Sequence, residues 1–100
     1  MKNIFVILVT YEKPIEEVER HLEAHREFLA EGYKNGILMM SGGQNPRIGG
    51  VIVGRFNSKE EANEFISKDP FFIHSVAKYE LTEFVPSKYA EGIKDYITGQ

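Results

Sequence analysis

Residues Ile4 to Val9 form an unbroken apolar run with no 3.6-residue period and with polar residues at both ends. β-Branched and aromatic residues in so short a run predict a strand rather than a helix. Both alternating faces of that strand are apolar, so both need covering. Pro14 then suits the first turn of a helix, and Glu16, Glu17 and Glu19 place negative charge near its positive end. Val18, Leu22, His25, Leu29 and Gly32/Tyr33 recur at spacings of three and four, with Phe28 flanking. This stripe predicts one helix, running to about Asn35 and packed on a sheet. Gly36 stops it.

The run Ile37–Met40 is too short for a helix. A polar, Gly-rich stretch from Ser41 to Gly50 follows, then a second apolar run from Val51 to Phe56. Together they predict an antiparallel hairpin with a long loop. Ser58 and Glu61 form a capping-box pattern, which opens a second helix over Lys59–Ser67 with Ala62, Phe65 and Ile66 inward. Asp69-Pro70 ends it, because the residue before proline is pushed out of the α region. Phe71 to His74 make a tight apolar turn, and Ala77 to Val85 alternate as a half-exposed last strand. The tail from Ser87 to Ile97 has the spacing of a short helix through Tyr89, Ile93, Tyr96 and Ile97.

Strand, helix, strand, strand, helix, strand is the ferredoxin-like βαββαβ order: an α+β fold whose antiparallel sheet carries both helices on one face. The other face is left bare although two strands are apolar on both sides. A second copy is expected to cover it, giving a homodimer through the open sheet face and closing a dimeric α+β barrel. The tail is the segment expected to reach toward the partner.

Composition narrows the function classes. One hundred residues make one domain, with a core of about residues 3–85 and a tail of residues 86–100, and 42% hydrophobic with 27% charged residues is a globular balance. There is no cysteine, which removes disulfides, thiolate nucleophiles and cysteine-based metal sites and favours a cytoplasmic location. The net charge of −3 argues against a nucleic-acid partner. The N-terminal apolar run is shorter than a secretory core of about 7–15 residues, and nothing approaches the roughly 18 of a membrane span. A soluble, unprocessed protein with no membrane partner is expected.

Three histidines are present. His25 sits on the sheet-facing stripe, where an imidazole needs a hydrogen-bond partner or costs about 1–3 kcal/mol. A backbone carbonyl would serve as well as a functional group. His21, one turn earlier at the stripe's edge, reads as a surface residue. The pair has the i, i+4 spacing of metal ligands, but no HExxH pattern or third ligand accompanies it, so no metal is expected. Asp69 stands at the end of a helix, where it opposes the dipole, and Asp-Pro punctuation is its plain explanation. The Ser41-Gly42-Gly43 segment has N–H groups to offer an anion, and a flexible hairpin loop explains it equally.

Taken in order, four features resemble the YciI-like (YCII-related) proteins of the dimeric α+β barrel superfamily, over about residues 3–85. These are the opening strand, His25 eleven residues before Gly36-Ile37-Leu38, the small pair Ser41-Gly42, and Asp69-Pro70-Phe71 before the last strand. His21-Leu22 imitates the family's His-Leu pair but lies fifteen residues from Gly36. The resemblance implies a His25–Asp69 pair in a pocket between helix and sheet. Ser41, Gly42 and His74 are the candidate substrate contacts beside it. Two positions depart from the family pattern: Ser41-Gly42-Gly43 stands where Ala-Gly-Pro is usual, and Arg26 follows the histidine in place of leucine. The family includes lyase-type chemistry on chlorinated hydroxyquinols. The implied function is a cofactor-independent acid/base enzyme, of lyase or isomerase type, acting on a small aromatic or enol-like metabolite. The alternative keeps the pocket and drops the chemistry, as a small-molecule binding or sensing module. Cofactor-free oxygenation rests on fold analogy alone.

Overall fold

The two runs that are apolar on both faces become the two inner strands of a four-stranded antiparallel sheet. The computed structural model describes residues 2–99. Strands β1 (Asn3–Tyr11), β2 (Leu38–Gly43), β3 (Gly49–Phe56) and β4 (Ala77–Phe84) lie in the order β2-β3-β1-β4. β1 pairs with β3 from Asn3↔Phe56 to Thr10↔Gly49, and with β4 from Ile4↔Phe84 to Tyr11↔Ala77. This is the expected ferredoxin-like arrangement.

Alternation along β1 sends Phe5, Ile7 and Val9 to one face, where they meet Ile52 and Phe56 of β3. The helices α1 (Ile15–Arg20), α2 (Leu22–Lys34) and α3 (Lys59–Ile66) cover that face with Val18, Leu22, Leu29, Ala62, Phe65 and Ile66. Phe5 and Phe56 meet edge to face at 5.5 Å, and Phe65 bridges Phe56 and Phe28. Phe5 and Phe56, both fully buried, each contribute about 1.5–3 kcal/mol of apolar transfer energy. The opposite face carries Val6, Leu8, Val51 and Val53, all half-buried, with Met40 56% and Phe84 45% exposed.

Three local expectations are corrected, and the short helix expected in the tail is present. The single first helix is two, broken at His21, which takes φ −110°, ψ 3° while its N–H bonds the Val18 carbonyl three residues back. Ser41-Gly42-Gly43 is not loop but the end of β2, paired with Ile52, Val51 and Gly50, so the hairpin loop shrinks to residues 44–48. The apolar turn is a one-turn helix, α4 (Pro70–Ile73), in which only Phe71 is buried. The tail forms a 3-10 turn at Glu91–Ile93 and a helix α5 (Lys94–Thr98), and it docks on its own chain. There the Tyr96 hydroxyl donates to the Ile37 carbonyl, and Arg55 donates to the Tyr96 carbonyl while lying over the Tyr96 ring.

Two glycines set geometry near the site. Gly36 follows α2 with φ +73°, the left-handed turn that sends the chain into β2. Gly49 lies so close to β1 that a Cβ would run into the Val9 carbonyl.

Candidate active site

α3 closes with the Asp69 N–H bonded to the Ile66 carbonyl, and Asp69 itself is extended at φ −72°, ψ 126°, as a residue before proline must be. That conformation makes it the N-cap of α4, where Oδ1 accepts from the Phe71 N–H at 3.0 Å. The expectation that Asp69 opposes a helix dipole is therefore corrected. It ends one helix but caps the positive end of the next.

The carboxyl is fully buried, at 0% exposure. Oδ1 also meets His25 Nδ1 at 2.8 Å, and Oδ2 accepts from the Tyr79 hydroxyl at 2.7 Å. Burial pushes the Tyr79 phenol well above its ordinary value, and the Asp69 charge and hydrogen bond push it further. Tyr79 therefore stays a neutral donor. Three donors on two oxygens satisfy a buried carboxylate without a metal or a lysine.

His25 reaches Asp69 because α2 turns its stripe toward α4. Its ring stacks on the buried Phe71 ring at 3.9 Å, only 5° from parallel, which fixes the imidazole plane. With an acceptor at Nδ1, the geometry assigns the proton to that nitrogen and leaves Nε2 as the free one. No buried side-chain nitrogen or oxygen among the described residues lacks a partner. Nε2 has none, so solvent reaches it. Beside His25 lies an open cavity of about 840 Å³ between α2, β1 and the β2–β3 hairpin, with His25, Phe71, Leu22 and Leu29 on one side and Ser41, Gly42, Gly50 and Ile52 on the other. Its size and mixed lining suit a small organic molecule.

The sequence-predicted residues thus separate into two groups. His25 and Asp69, 44 positions apart, are in contact. Ser41 and Gly42 line the same cavity, and the Ser41 hydroxyl is tied to Tyr33 at 2.6 Å. His74 is not among the lining residues; it stacks on His21 at 4.0 Å, one turn away from His25 and Phe71. Sequence reasoning missed Tyr79 and Phe71 as supports of the pair. The last strand alternates Tyr79 and Leu81 against Glu80 and Thr82, but nothing local pointed to a carboxylate ten residues earlier. Among the described residues no three histidine, aspartate or glutamate side chains are grouped to hold a metal, and no helix is long and apolar enough to cross a membrane.

The family model of the YCII-related domain matches residues 4–85. Among solved structures, the chain is similar to the 5-chloro-2-hydroxyhydroquinone dehydrochlorinase of Burkholderia phenoliruptrix, determined in complex with 2,5-dihydroxybenzoquinone. The likeness has a TM-score of 0.69 at 15% identity and covers 89% of this chain and 97% of the other, so it speaks for the fold alone. No curated protein matches significantly.

Proposed function

The chain belongs to the YCII-related family, and from that premise we propose that it is a cofactor-independent acid/base enzyme of the lyase or isomerase type. Its substrate would be a small aromatic or enol-like metabolite held in the cavity beside His25. The observation that carries the reading is the free Nε2 of an imidazole whose other nitrogen is bonded at 2.8 Å to a buried carboxylate, at the wall of a ligand-sized cavity. In an elimination, Nε2 takes a proton from carbon, the C–H electron pair forms the new double bond, and the leaving group departs with its own pair. In an isomerisation, Nε2 returns the proton to another atom of the same molecule. Asp69 steadies the imidazolium in either case. Such a pair contributes about 10²–10⁴-fold in rate. The fold neighbour's dehydrochlorinase activity supports this class of chemistry by analogy.

The half-buried face of Val6, Leu8, Val51 and Val53, continued by exposed Met40 and Phe84, supports a homodimer in which a second copy covers the sheet. The cysteine-free composition supports a cytoplasmic location.

The test uses 2,5-dihydroxybenzoquinone in deuterated buffer. Mass spectrometry follows exchange at its ring C–H positions, which requires proton transfer to and from carbon. Acceleration that falls by at least tenfold in His25→Ala is expected. Binding that depends on His25 without any acceleration would instead establish the non-catalytic binding module.

A further inference from the structure

We propose that Arg26 and Arg47 form a carboxylate-binding mouth to the cavity, so that its ligand is an aromatic or enol-like acid rather than a neutral ring. The inference rests on the reading of this cavity as a small-molecule site and adds the ligand's charge to it.

The protein as a whole is acidic, with a net charge of −3. The cavity reverses that sign. Its permanently charged lining consists of two guanidiniums, Arg26 and Arg47, against one carboxylate, Glu19. Arg26 directly follows His25 on α2, while Arg47 comes from the β2–β3 loop, so two separate elements bring positive charge to one space. Neither guanidinium is committed elsewhere. Arg26 makes no hydrogen bond or ion pair among the described residues, and Arg47 has only Glu19, with Nη1 3.9 Å from Oε2 and both side chains about half exposed. A contact that long between solvated groups holds its partner weakly.

The presence of Glu19 is itself informative. A carboxylate already stands where an incoming carboxylate would bind Arg47, so the exchange replaces like with like and buries no unpaired charge. The planar fork of arginine matches a carboxylate in two-point geometry, which favours this anion over a diffuse phenolate. Arg26 supplies the second cation from α2, the helix that also carries His25, so the acid group and the imidazole share one cavity.

The experiment compares two probes that share a ring, 2,5-dihydroxybenzoate and hydroquinone, by NMR titration of the folded protein at neutral pH. In the wild type the benzoate is expected to bind at least tenfold more tightly. Arg47→Gln and Arg26→Gln each reduce that preference, and together they bring it to within about twofold. Glu19→Gln frees Arg47 and strengthens benzoate binding while leaving hydroquinone unchanged. Equal affinities in the wild type, or a preference that survives in the double variant, overturn the inference. If hydroquinone binds in a His25-dependent way and the carboxylate adds nothing, the cavity reading stands and only the acid specificity falls. If neither probe binds, both fall.

Discussion

Two histidines one helical turn apart are each stacked face to face on a ring from α4 or its end. His25 lies on Phe71 at 3.9 Å and His21 on His74 at 4.0 Å, both within 13° of parallel. The stacking is nearly the same and the surroundings are not. The inner imidazole has a side chain only 12% exposed and holds a buried carboxylate, which Tyr79 and the Phe71 N–H secure from the other side. The outer pair is ring on ring at the surface, with exposed His74 and no carboxylate. Stacking places an imidazole; the buried acceptor gives it a fixed tautomer and a partner for positive charge. What distinguishes His25 is therefore Asp69 and not the presence of a histidine.

The largest effect should come from removing that acceptor. Asp69→Ala leaves His25, Tyr79 and the Phe71 amide without the buried carboxyl they share and is expected to cost about 3–5 kcal/mol in urea denaturation. His74→Ala in the outer stack should stay within about 0.5 kcal/mol. Equal costs in the two variants would dissolve the distinction. Tyr79→Phe removes one donor to a charged group and is expected to cost about 1.5–3 kcal/mol, with the fold intact by circular dichroism.

Alkaline pH acts on Tyr79 of this network and on Tyr96 of the docked tail. Burial raises the phenols of Tyr79 and Tyr96 in the folded protein, Tyr96 to about 12 with Arg55 opposing the rise. Below the ordinary tyrosine value of 10 both states keep the proton and this contribution to stability is complete. Above it the unfolded chain ionises first, so stability falls as pH rises, through about 12 for Tyr96 and further for Tyr79. Denaturation midpoints measured from about pH 9 upward should show the decline, and Tyr79→Phe or Tyr96→Phe should flatten it. A slope unchanged in both variants would contradict the role of burial. The smallest effect is expected from His21→Ala, within about 0.5 kcal/mol and without change in ligand binding at the cavity.

The order of the elements and the ferredoxin-like arrangement were legible in the sequence, because short two-sided apolar runs alternate with amphipathic helical stripes, whereas the register of the strands appears only in the structure. What escaped was shorter or longer in range than those patterns. α4 has four residues, too few for a period to register, so Asp69 looked like the end of α3 and not the cap of a new helix. The break at His21 involves neither proline nor glycine, so no breaker residue marks it in the sequence. Ser41-Gly42-Gly43 has loop composition but is held in β2 by its partners on β3. The contact between His25 and Asp69 spans 44 residues, and its two ends came into view through family resemblance while the residues around them left plain alternatives open. Tyr79 and Phe71, which hold the pair, have ordinary core patterns and are distinguished only by what they touch.

The most direct measurement is the ring 15N and N–H spectrum of the three histidines in the wild type and in Asp69→Asn, which keeps an N-cap for α4 while removing the negative charge 2.8 Å from His25. In the wild type His25 should carry its proton on Nδ1 and show a ring N–H resonance protected from solvent exchange, and in the variant, where the acceptor is a neutral amide, that resonance should move upfield and exchange faster. A His25 ring protonated at Nε2 in the wild type, or an Nδ1–H resonance that is the same in both proteins, would contradict the coupled His25–Asp69 site.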